Sequence, residues 1–222
     1  MKIYHGSLAI VEKPIYGYGN PYNDYGLGFY CTESKNLAKE WSVDVELDGY
    51  ANCYELNLEG LKVLNLNEKP YTILHWLALL IQNRVFKSKS VLVKEAKDFL
   101  IKKFSVDYSK YDVIIGYRAD DSYFSFARDF LQGTISYRQL SMALRLGNLG
   151  EQIVLKSRKS FNAIRFIEAE KAFASEWYPK IVQREIDARS EYFNNTKMKR
   201  QKGDLYINQI LDEDMEADDD RL

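Results

Sequence analysis

Apolar and polar positions along the chain predict short strands at both ends of its first two thirds, with helices between them. Lys2 to Tyr4 reads as a first strand, closed by Gly6, and Phe29 to Thr32 as a second. Ala51 to Leu58 and Leu61 to Leu66 alternate on either side of Glu59-Gly60, which predicts a hairpin. Tyr111 to Tyr117, with Val113 to Ile115 at its centre, and Ile153 to Leu155 read as buried strands. Phe161 to Ile167 reads as the last strand.

The helical periods are as clear. Ser34 caps a short helix with Leu37, Ala38 and Trp41 on one face. Pro70 is expected to open an apolar helix through Ile73, Leu74, Trp76, Leu77, Leu79, Leu80 and Ile81, and an amphipathic helix spans Val91 to Phe104. Asp120, Asp121 and Ser122 are set to cap a helix from Tyr123 to Leu131, and Ser136 caps another through Leu146. Residues 169–192 read as helix, interrupted near Pro179. Between Tyr16 and Tyr25 the Gly, Asn, Asp and Pro residues predict a loop, which with its flanks carries five tyrosines: 16, 18, 22, 25 and 30.

The 222 residues divide into a main domain (1–168), a helical extension packed on it (169–196) and a tail (197–222). In the tail, basic Lys197, Lys199, Arg200 and Lys202 precede seven acids in the nine positions Asp212 to Asp220, a pattern expected to stay solvated. Net charge is −1, so no global basic field argues for nucleic acid. Cys31 and Cys53 lie in strand-like surroundings without metal-ligand spacing, and only His5 and His75 could join them. They are expected to be reduced core residues of a cytoplasmic protein, with no metal site. The N-terminus lacks the apolar run of a signal peptide, and no window approaches the ~18 apolar residues of a membrane span.

Three stretches hold the candidate chemistry. In Tyr4-His5-Gly6-Ser7, the bare Gly6 backbone leaves an amide and a carbonyl open to a ligand, flanked by an imidazole and a hydroxyl. In Asn23 to Thr32, Gly26 and Gly28 make a tight turn into a strand that carries Phe29 and Tyr30. Glu151-Gln152 opens the Ile153 strand.

Taken in order, these stretches resemble the ADP-ribosyltransferase superfamily, in the branch whose three signature positions are His, Tyr and an acid. Tyr4-His5-Gly6-Ser7 resembles its first motif, Gly26 to Thr32 its Gly-x-Gly-aromatic-Tyr-x-Ser/Thr second motif, and Glu151 to Leu155 its third. More closely, residues 2–168 are similar to a bacterial family known as domain of unknown function 3990, through Asp24 to Thr32, Tyr111 to Asp121, the Gln152 strand and Lys159 to Phe166.

The resemblance implies an α+β fold of two split antiparallel sheets with inserted helices and NAD, as substrate, in the cleft. It implies catalytic roles for His5, Tyr30 and Gln152, and cofactor contacts from His5, Gly6, Ser7, Gly28, Phe29, Tyr30 and Thr32. Gly6 would take the nicotinamide amide, Tyr30 the nicotinamide ring and His5 a ribose hydroxyl, assisted by Ser7 or Thr32. Gln152 stands where the branch has its acid; Glu151 is adjacent but faces the other side of a regular strand, and Asp120 and Asp121 are the reserve carboxylates. The implied activity is transfer of ADP-ribose to a macromolecule, protein or nucleic acid, in a bacterial toxin or effector that an antitoxin or inhibitor protein would restrain. The alternative is a non-catalytic nucleotide-binding or protein-interaction module of the same fold, which Gln152 favours. The tyrosine-rich loop would then close over substrate or simply pack.

Overall fold

The computed structural model describes residues 1–119, 121–146, 150–197 and 199–222, and the side chains of all of these except 121–123, 195 and 196. Among the described residues two sheets form. In the first, β1 (Lys2–Ser7), β3 (Gly49–Leu56) and β7 (Ile164–Ala172) run antiparallel in the order β1-β3-β7. In the second, the order is β2 (Phe29–Cys31), β6 (Glu151–Leu155), β5 (Val113–Tyr117), β4 (Val63–Asn65). A bridge joins the sheets: Tyr4 N–H donates to Thr32 O at 2.7 Å, and Thr32 N–H to Tyr4 O at 2.9 Å.

The hairpin expected across Glu59-Gly60 does not form. Both edges of β3 are taken, by β1 and β7, so the chain crosses to the second sheet, where β4 pairs parallel with β5. The expectation of two purely antiparallel sheets is corrected by that one pair. The architecture is mixed α+β.

Strand alternation gives the second sheet two different faces. Phe29, Cys31, Val113, Ile153 and Leu155 meet Ile3, Tyr54 and Leu56 of the first sheet in a small inter-sheet core. Tyr30, Ile114 and Val154 face the larger core instead, built on α2 (Ile73–Asn83), α3 (Val91–Phe104) and α4 (Asp121–Leu131). Cys31 and Cys53 are buried free thiols. No described helix is long and apolar enough to cross a membrane.

Pro70 does not open α2. Thr72 caps it, its hydroxyl accepting from Leu74 N–H at 3.3 Å, while His75 Nδ1 accepts from Thr72 N–H at 2.9 Å. Ser34 and Ser136 cap α1 (Lys35–Ser42) and α5 (Tyr137–Ala143) as expected. The capping expected of Asp120, Asp121 and Ser122 lies outside the described residues and side chains.

Phe161 belongs to a short helix α6 (Arg158–Asn162), capped by Ser157, and β7 follows it. β7 runs to Ala172, so the boundary expected at 168 falls within a strand. Helix α7 (Ala174–Glu191) passes through Pro179 without a break. The one carbonyl left without its helical donor is that of Ser175, an exposed residue that water can reach.

The tail expected to be solvated is packed. After the π-helical turn Tyr192–Lys197, the chain returns through α8 (Ile207–Asp212). Ile207, Ile210 and Met215 are buried in the larger core. Arg138 grips Asp204 through two bonds of 2.7 and 3.0 Å. A few apolar side chains at helical spacing outweigh the acids, which turn outward onto Lys103 and Arg221. Ile207→Ala should therefore cost about 2–5 kcal/mol of stability, read from urea unfolding. A loss below ~0.5 kcal/mol, the level of a surface change, would contradict this packing.

Candidate functional site

The loop before β2 is tied down by its own residues. Tyr25 O–H donates to Tyr117 O at 2.6 Å, and Lys156 Nζ donates to the carbonyls of Tyr25 and Leu27. Gly26 has a left-handed φ of +70°, and a Cβ on Gly28 would stand 2.6 Å from Val154 Cγ1. Tyr30 O–H donates back to Gly26 O at 2.5 Å and accepts from Tyr25 N–H at 3.1 Å. Burial raises its hydroxyl pKa far above the usual range. Asp24, almost wholly buried, accepts from Ala119 N–H at 2.8 Å and pairs with Arg84 at 2.7 Å.

These ties leave a cleft of about 330 Å³, lined by Asn23, Asp24, Tyr30, Trp41, Arg84, Arg118, Ala119 and Gln152. Gln152 stands opposite Gly116 and two residues from Val154, so it shares the sheet face of Tyr30. It is 7% exposed, and its Oε1 has no hydrogen-bond partner among the described residues. The same holds for the buried Trp41 Nε1, whose ring lies 4.3 Å from the Arg118 guanidinium. The cleft thus offers one unused acceptor and one unused donor beside aromatic faces. Buried polar atoms nearly always have a partner, in the protein or in ordered water, so each of these two calls for one.

The expected trio is brought together, though not around one cavity. His5 Nδ1 lies 2.7 Å from the Tyr30 carbonyl, and Tyr30 and Gln152 share the cleft. The imidazole itself rests on Phe29 at 4.3 Å between centroids, and Phe29 faces the inter-sheet core. Because the carbonyl only accepts, Nδ1 carries the proton and Nε2 the lone pair. Ser7 Oγ is engaged by Asn52 and by Ala9 O, and Thr32 is buried, with its hydroxyl accepting from Ser34 N–H. Glu151 receives Asn67 Nδ2 at 2.6 Å and pairs with Tyr117 without a bulge, turned away from the face of Gln152. Asp120 and the side chain of Asp121 lie outside the described residues and side chains.

Gly6 has two roles. Tyr4 turns its amide and carbonyl toward Thr32, so by alternation Gly6 turns its own the same way, one step beyond the last bridge. Its missing side chain makes room for α1: a Cβ would stand 2.1 Å from Ala38 O and 2.9 Å from Trp41 Cβ. The open backbone of β1 therefore abuts the helix that supplies Trp41 to the cleft.

Burial lowers the pKa of His5 below its ordinary value, against a weaker opposing effect of the Tyr30 carbonyl. The unfolded chain then takes up this proton at higher pH than the folded one. The stability held by neutral His5 is complete above its unfolded pKa of ~6.5 and drains as pH falls below it. Urea midpoints measured downward from pH 7.5 should fall less steeply in His5→Gln. His75, shifted the same way by burial, keeps its own share of the slope. Identical slopes in variant and parent would contradict the assignment.

Sequence reasoning missed Trp41, Arg84, Arg118 and the cleft role of Asp24. Trp41 sits on the same apolar face of α1 as Leu37 and Ala38, and no local pattern separates a core ring from a cleft ring. Asp24 carried a usable signal: an acid two residues before Gly26, beside a turn already marked as special.

No curated protein and no solved structure matches the chain. A family model described as a protein of unknown function (DUF3990) matches residues 1–166, which contain β1 to β6 and every residue that lines the cleft. The chain belongs to that DUF3990 family.

Proposed function

We propose that the chain has an ADP-ribosyltransferase arrangement and transfers ADP-ribose from NAD to a macromolecule. The observation that carries this reading is the buried, unpartnered Oε1 of Gln152 on the same wall as Tyr30. An acceptor so placed suits a ribose hydroxyl, and an aromatic face beside it suits the attached nicotinamide. The residues fit the nicotinamide-ribose half of the dinucleotide: Tyr30 and Trp41 for the ring, the Gly6 backbone and Trp41 Nε1 for its amide. Gln152 would take a ribose hydroxyl, and His5 would act on the cleft only through the Tyr30 carbonyl that it holds. NAD supplies an activated glycosidic bond, from which nicotinamide leaves as a neutral molecule. The protein binds the two halves of that bond, orients them and shields them from water.

Labelled NAD incubated with the protein and a cell lysate tests this. Label is expected on a macromolecule, and its loss in Tyr30→Ala and Trp41→Ala. Absence of both labelling and NAD binding would overturn the reading. One observation favours a binding module instead: Asp24, the carboxylate that lines the cleft, is paired with Arg84. NAD binding without turnover would select that second reading.

A further inference from the structure

A second cleft, of about 610 Å³, lies between the α4–α5 connection at Gly133-Thr134 and the segment entering α8. It shares no lining residue with the Tyr30 cleft, and most of its wall lies beyond the residues matched by the family. Arg200 and Lys202 stand on that wall, and neither pairs with an acid among the described residues. The one carboxylate of the lining, Asp204, is satisfied by Arg138 through two bonds and by Gln201 N–H at 2.7 Å. The Arg200 guanidinium lies 5.2 Å from the Tyr206 ring, and the hydroxyl of that tyrosine is buried with no partner among the described residues. Among the described residues, two cations without an acid partner and one idle hydroxyl thus belong to the lining of a single polar hollow.

We propose that this second cleft binds a phosphate group. A phosphate presents several strong acceptor oxygens and up to two negative charges, matching the fork of Arg200, the ammonium of Lys202 and the hydroxyl of Tyr206. A neutral ligand would leave both cations unmatched. The phosphate comes from a small molecule or from a nucleic-acid backbone, and the chemistry of recognition is the same. The inference does not depend on the NAD reading.

Calorimetric titration of the full chain distinguishes the sources, with inorganic pyrophosphate in one arm and a short single-stranded oligonucleotide in the other. Each arm compares the parent with Arg200→Ala/Lys202→Ala, whose two positions are exposed and carry no core packing. The parent is expected to bind in at least one arm, and the double variant to bind at least ~10-fold more weakly, since each charged hydrogen bond is worth ~1.5–3 kcal/mol. Loss of pyrophosphate binding assigns the cleft to small phosphorylated molecules. Loss in the oligonucleotide arm alone assigns it to a nucleic-acid backbone. No binding in either arm overturns the proposal, and so does affinity unchanged in the double variant, which would place any bound phosphate elsewhere.

Discussion

Gln152→Glu should raise the rate of NAD cleavage by about 10²-fold or more. The substitution keeps the length of the side chain and the acceptor at Oε1, and exchanges a neutral amide for a carboxylate. At this position the side chain is 7% exposed and shares its cleft with Arg84 and Arg118. Arg84 is already paired with Asp24, so Arg118 is the cation that would favour the ionised form of the new acid. As the glycosidic bond breaks, positive charge develops on the ribose, and a fixed carboxylate beside it would stabilise that charge. Removing one such preorganised group elsewhere costs ~10²–10³ in rate, which sets the expected scale. Nicotinamide release followed by chromatography reads the effect. Glu151→Gln serves as the control and should leave the rate unchanged, because Glu151 is held by Asn67 on the other side of β6. An unchanged rate in Gln152→Glu would remove Gln152 from the reaction.

Gly6→Ala should destabilise the protein by about 3 kcal/mol, the upper end of the usual cost of overpacking. The added Cβ meets Ala38 O at 2.1 Å and Ser42 N at 2.9 Å. Both are backbone atoms of α1, so no rotamer change relieves the clash. The helix must lift from β1, and Trp41 moves with it, so NAD affinity should fall together with stability. Gly17→Ala is the comparison: Gly17 has a φ of +83°, but a Cβ there would meet no atom within 4 Å. Its cost should stay near the ~1–2 kcal/mol of a left-handed residue, with NAD affinity unaltered. Equal effects of the two substitutions on urea unfolding would show that α1 packing does not explain Gly6.

Much of the fold was legible where the signal is local. Ser34, Ser136 and the apolar run from Ile73 to Ile81 act within a few residues of themselves, and the structure has the helices they announce. The partner of β4 was not legible, because it depends on which strand edges remain open after β1 and β7 have enclosed β3. The packed tail was hidden for a related reason: its acids dominate the composition, while Ile207, Ile210 and Met215 do the packing. Of the candidate site, Tyr30 and Gln152 were readable from ordered motifs, and they do share a wall. Arg84 and Arg118 were not, since they come from the end of α2 and the end of β5 and acquire meaning only when Asp24 and Trp41 draw them to one cleft.

A crystal structure of the protein soaked with NAD tests the central claim most directly. The nicotinamide ring should lie against Tyr30 and Trp41, with a ribose hydroxyl donating to Gln152 Oε1. NAD bound away from Tyr30 and Gln152, or no NAD at a concentration that saturates the protein in solution, would contradict it.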